Sequence, residues 1–151
     1  MFLSPEIKEC IDKSVLCWLA TSSEENIPNV SPKEMFTHYQ DEFIIVANIA
    51  SPQTVKNIKQ NPNVCISFIE ILVQKGFQLK GKGSIIGKEH PDFSPMQAIF
   101  LEMTGGKFPF ASITKIEVNK VRPIIAPRYL LYPETTEEQQ VAAAKKQYNL
   151  L

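Results

Sequence analysis

The stretch from Gly76 to Glu89, GFQLKGKGSIIGKE, sets Phe77, Leu79 and Gly81 against Gln78, Lys80 and Lys82. Alternation of this kind has the two-residue period of a strand with one buried face, and the glycines mark a bend or a close backbone approach. A lone strand is not stable in water, so the rest of the chain has to supply a sheet.

It does so in short pieces. SVLCWLATS (residues 14–22), IPNVSPKEMF (27–36), EFIIVANI (42–49) and NVCISFIEIL (63–72) are rich in β-branched and aromatic residues, and the turn residues of SEEN join the first two as a hairpin. The last strand region, ASITKIEVNKVRPIIAP, alternates through Ile113, Ile116, Val118 and Val121. His38 falls in the turn-like THYQDE and His90 precedes Pro91, which predicts surface roles for both.

Helices are predicted at four places. Ser4-Pro5-Glu6 opens one, Ser51-Pro52 a second ending at Asn61-Pro62, and Ser94-Pro95 a third closed by Gly105-Gly106. Thr136-Glu137-Glu138-Gln139 has capping-box spacing and starts a C-terminal helix with acids early and lysines late. Five or six strands with short connections and no regular βαβ alternation predict a mainly antiparallel sheet that curls into a barrel, with peripheral helices. At 151 residues one domain, 1–151, is expected.

Charge narrows the partners. Sixteen Lys plus Arg balance sixteen Asp plus Glu, which argues against the broad positive field that nucleic-acid binding requires. No apolar run approaches the ~20 residues of a membrane span. Cys10, Cys17 and Cys65 are odd in number and widely spaced, as packed, reduced thiols are. A cytoplasmic protein that binds neither membrane nor nucleic acid is the expectation. Metal-ligand spacing, G-x-S-x-G and a P-loop are all missing from the sequence, which excludes the zinc hydrolases, serine esterases and nucleotide triphosphatases.

The start of the second helix carries the most chemistry. Its first-turn N–H groups lack internal partners and sit at the positive end of the helix dipole, an arrangement that receives anions such as phosphate. Ser51 and Thr54 add hydroxyls, and Lys33, near the end of a neighbouring strand segment, brings an ammonium that can meet the same anion. Simple capping by Ser51, a Thr54 facing water and a solvent-facing Lys33 account for the same residues. Gln78, between Phe77 and Leu79, is either an exposed strand glutamine or an amide for a heterocycle edge.

Three segments in this order, VLCWLATSSEENIPNVSPKEMF, FIIVANIASPQTVKNIKQNPNVCISF and GFQLKGKGSII, resemble the FMN-binding split-barrel family of pyridoxamine 5'-phosphate oxidase-like flavoproteins, over residues 5 to 125. The resemblance implies a six-stranded antiparallel split β-barrel that pairs as a homodimer, with FMN in clefts between subunits. It further implies phosphate contacts from Ser51, Gln53, Thr54 and Asn57, a flavin or ribityl lining from Ser31, Pro32 and Lys33, and a cofactor contact from Gln78. Relatives often carry Lys or Arg near Gln53, so a neutral amide there shifts work to Lys33.

The tryptophan- and arginine-containing C-terminal signature of true pyridoxamine-phosphate oxidases is not matched by RPIIAPRYLLYP, which sets vitamin B6 synthesis aside. The expected function is an FMN-dependent oxidoreductase acting on a small molecule. A flavin electron carrier or redox sensor, or a split barrel holding deazaflavin or haem, are the alternatives.

Overall fold

The computed structural model describes residues 1–150. The order is α1 (Pro5–Lys13), β1 (Cys17–Ser22), β2 (Pro28–Lys33), β3 (Phe36–Tyr39), β4 (Phe43–Ala47), α2 (Pro52–Gln60), β5 (Asn63–Glu70), β6 (Lys75–Gly87), α3 (Phe93–Thr104), β7 (Ser112–Ile125), α4 (Pro127–Leu131) and α5 (Glu137–Gln147). The strands form one antiparallel sheet in the order β2-β1-β5-β6-β7-β4-β3.

The two outermost strands, β2 and β3, are consecutive in the chain and separated only by Glu34 and Met35. Two linking residues reach roughly 11 Å at full extension. The end of one edge strand is therefore held close to the start of the other, and the sheet curls on itself as a mainly β barrel-like fold with helices outside.

The long strand is the spine of this curl. β6 pairs with β5 over Lys75–Lys82 and with β7 along its whole length, with a bulge between Lys80 and Gly81. A Cβ on Gly81 would lie 2.1 Å from the Glu117 carbonyl oxygen, so only glycine allows the strands to approach at the bulge.

Leu19, Ile66, Phe68, Leu79, Ile116 and Val118 point into the barrel with Ile44 and Val46, and α1 and α2 close it with Ile7, Ile11 and Ile58. Ile45 and Ala47, on the other face of β4, meet Phe93, Met96 and Phe100 of α3. β4 is thus buried on both sides, which explains its unbroken apolar run.

Seven strands replace the six expected. The extra one is β3, which pairs His38 with Ile44. Phe36 ends the segment IPNVSPKEMF and Thr37, His38 and Tyr39 read as turn, with too few apolar positions to reveal a strand whose partner is the next segment of chain. His38 is accordingly a half-buried strand residue, while His90 lies exposed in a turn. The third helix begins earlier than expected, with Asp92 at its N-cap, and ends as expected at Gly105 in the left-handed conformation, φ 64°. Ser4 caps α1 and Thr136 forms the capping box of α5. No helix among the described residues is long and apolar enough to cross a membrane.

Candidate functional site

β4 delivers the chain to Asn48, and Ala50, at φ +48°, turns it sharply into α2. This left-handed conformation is unfavourable for a residue with a Cβ. It leaves Ser51 at the N-cap position without a side-chain capping bond; its hydroxyl donates instead to the Ile49 carbonyl, 2.9 Å away. The expectation that Ser51 caps the helix through its side chain is not met, and the first-turn N–H groups keep their free capacity.

Lys33 is where the electrostatics concentrate. Its residue is 7 % exposed, its ammonium donates to Ser51 Oγ, and it makes no ion pair among the described residues. Burial holds its pKa below the usual lysine range. A cation removed from water without a carboxylate is costly, and the cost is offset when an anion arrives. The solvent-facing alternatives for Lys33 and Thr54 are ruled out, since Thr54 is 2 % exposed.

Ser31 completes this group. Its hydroxyl lies 3.4 Å from Thr54 Oγ1, and its position in β2 puts it on the same, inner face as Lys33. Gln53 and Asn57 behave differently. Gln53 donates to Asn57 Oδ1 at 2.8 Å, and the buried Asn57 donates to Thr21 Oγ1 at 3.0 Å, so this chain of amides fastens α2 to β1.

The sheet pleat separates the remaining candidates from these. Pro32 alternates with Ser31 and Lys33 and therefore faces outward, in the cross-strand row Pro32–Trp18–Ser67–Gln78–Arg122. Ser31 stands in the row that runs through Leu19, Ile66 and Leu79 to the interior. Gln78 is thus on the opposite face of the sheet from Ser31 and Lys33, and three strand spacings, roughly 14 Å, from Pro32.

The sequence reading missed Asn48, Thr114 and Ser112. Asn48, buried, donates to Ser112 Oγ at 3.1 Å and accepts from Thr114 Oγ1 at 2.9 Å, and with Ser51 it borders an open depression that also carries Lys56 and Lys59. An asparagine ending the apolar run FIIVAN is the signal, since a buried amide at a strand end needs partners. Lys33 and Glu34 also border a second cavity, of ≈ 290 Å³, whose other walls are apolar, from Pro32, Met35, Ala47, Ile49 and Phe108.

Residues 3–131 match the family model described as pyridoxamine 5'-phosphate oxidase. Among solved structures the fold is similar to HupZ of Group A Streptococcus, with a TM-score of 0.67 and 21% identity over 79% of this chain and 91% of that one. HutZ, the haem storage protein of Vibrio cholerae, gives 0.66 and 21% over 82% and 96% of the two chains. An FMN-binding protein of Syntrophomonas wolfei gives 0.65 and 16% over 78% and 82%. No curated protein matches the chain. At these identities the structural likenesses establish the fold, while the match over residues 3–131 establishes kinship: the chain belongs to the pyridoxamine 5'-phosphate oxidase family.

Proposed function

We propose that the protein is an FMN-binding flavoprotein that works as a homodimeric oxidoreductase on a small molecule. The observation that carries this reading is the buried Lys33 ammonium, which has no carboxylate partner among the described residues and is bonded to Ser51 at the positive end of α2. A phosphate fits that position: it neutralises the lysine, takes the first-turn N–H groups and accepts from the Ser31–Thr54 hydroxyl pair, and from Ser51 once its hydroxyl turns away from the Ile49 carbonyl. FMN, when bound, supplies hydride or one-electron chemistry. The residues of this chain bind and orient it, and the apolar walls beside Lys33 exclude water from its ring.

A second copy of the chain is part of the proposal. The cavity beside Lys33, ≈ 290 Å³, is at the small end of ligand pockets, which run to roughly 1,000 Å³, and leaves most of a flavin uncovered. Gln78 and Pro32 face outward beside Trp18 and Val30, which are 49% and 58% exposed. Pairing through this outer face buries those apolar side chains and lets Gln78 of one subunit approach a cofactor held by Lys33 of the other. The family relationship and the FMN-binding relative from Syntrophomonas wolfei support the flavin.

The test is the purified protein's absorbance spectrum, with chromatography of the released cofactor, compared with a Lys33→Ala/Thr54→Ala double variant. Oxidised-flavin bands and released FMN are expected from the parent. Each lost contact to the phosphate weakens binding by about 1.5–3 kcal/mol, so the double variant should be colourless. Unchanged flavin affinity in that variant would sink the assignment, and release of deazaflavin or haem would replace FMN as the cofactor.

A further inference from the structure

We infer that Lys80, Lys120 and Arg122 form, beside Gln78, an anion-binding subsite that receives the carboxylate or phosphate group of the substrate. Its assignment to the substrate rests on the flavin reading; the anion site itself stands on these cations.

Lys80 pairs directly with Lys120 across β6 and β7, and Gln78 with Arg122 two residues along the same face. Directly opposed like charges on a sheet are destabilising, and successive same-face positions are only about 7 Å apart. The four side chains line one cavity of ≈ 330 Å³ with Val121 and Pro123. None of the three cations has a carboxylate within ion-pair distance among the described residues.

Glu117 is the nearest carboxylate in register, and it stands opposite Lys82, one row further on, where Lys82 also donates to Asn63 Oδ1. The bulge between Lys80 and Gly81 turns the strand at this point. A cluster that opposes itself in the free chain is satisfied by a ligand bearing negative charge, and local conflicts of this kind gather at functional sites. A small anion is favoured over a nucleic acid because the chain as a whole carries no net charge and the cations are confined to one cavity.

The subsite also has a position relative to the phosphate cradle. Lys80, Lys120 and Arg122 share the outer face with Gln78, opposite the face of Lys33. In the paired molecule, the anionic group of a substrate would bind at the Gln78 end of the cleft, away from the FMN phosphate, which orients the remainder of the substrate towards the ring.

Calorimetric titration at low ionic strength with pyrophosphate and, separately, citrate tests this. It should be run on FMN-saturated protein and on the Lys33→Met variant, so that the phosphate cradle is either filled or disabled. One anion per chain is expected in both, with citrate or pyrophosphate preferred according to whether the natural group is carboxylate or phosphate. Lys120→Gln/Arg122→Gln should weaken binding about tenfold or more while FMN uptake and oligomeric state stay unchanged.

Absence of binding by both anions, or equal affinity in the double variant, overturns the subsite. Conversion of the double variant to a monomer overturns it as well, because the cations would then hold carboxylates of a second copy. Loss of FMN uptake by the parent protein, with anion binding intact in Lys33→Met, would overturn the flavin reading and leave the anion site standing.

Discussion

The ammonium of Lys33, on the inner face of β2, donates a hydrogen bond to Ser51 Oγ at the start of α2, joining an edge strand to the helix that follows β4, which lies far from β2 in the sheet order. This contact ties a buried cation, without an ion pair among the described residues, to the positive end of a helix. Two sources of positive potential meet there, an arrangement that favours the empty chain poorly and an anion well.

Lys33→Met should therefore stabilise the cofactor-free protein while abolishing flavin binding. Thermal unfolding of the cofactor-free parent and variant, beside flavin titrations, checks both halves. A variant that is less stable without cofactor would contradict the buried-cation account.

The same lysine predicts a pH dependence. Its folded-state pKa is depressed by burial, so between that value and the unfolded value of about 10.4 the unfolded chain binds more protons. Stability from Lys33 is thus present above the unfolded value and is lost as pH falls through the folded one. Phosphate requires the charged form, so flavin affinity should fall with rising pH at values below those typical of lysine. Flavin dissociation constants from neutral pH to about pH 10 should show this slope in the parent and lose it in Lys33→Gln.

At the bulge of the long strand, Gly81→Ala would drive a Cβ to 2.1 Å from the Glu117 carbonyl oxygen. Backbone, which cannot rotate away, is the obstacle, so a loss of several kcal/mol is expected, in the upper range of single-site effects of about 3 kcal/mol or more. Denaturant unfolding measures it. A change below about 0.5 kcal/mol would mean that the β6–β7 pairing is looser than the register implies.

Trp18→Arg places a charge on the outer face next to Pro32 and Ser67. Elution as a monomer with lower flavin occupancy is expected on size-exclusion chromatography. A variant that remains dimeric and yellow would move the pairing surface elsewhere.

The thiols should be slow. Burial raises all three, and Cys17, whose Sγ donates to the Lys33 carbonyl, is pushed up to about 12. Modification by an alkylating reagent at mildly alkaline pH should reach Cys10 and Cys65 before Cys17, as mass spectrometry of the labelled protein can resolve.

The sequence by itself determined the elements with a local cause. Alternation in GFQLKGKGSIIGKE, the caps at Ser4 and Thr136 and the left-handed Gly105 each depend on neighbours within a few residues, and each is present in the structure. The helix start at Ser51 was legible for the same reason, and so was the family.

Only the tertiary structure decided what these pieces meet. The short β3 exists because β4 pairs with it, and Ser51 turns its hydroxyl back to Ile49 because Ala50 bends the chain. Ser31, Pro32 and Lys33 read as one lining segment, yet the pleat sends Pro32 outward with Gln78 while Ser31 and Lys33 face in. Which face each residue takes is set by register across four strands, and register is a property of the folded sheet, beyond the reach of any one segment.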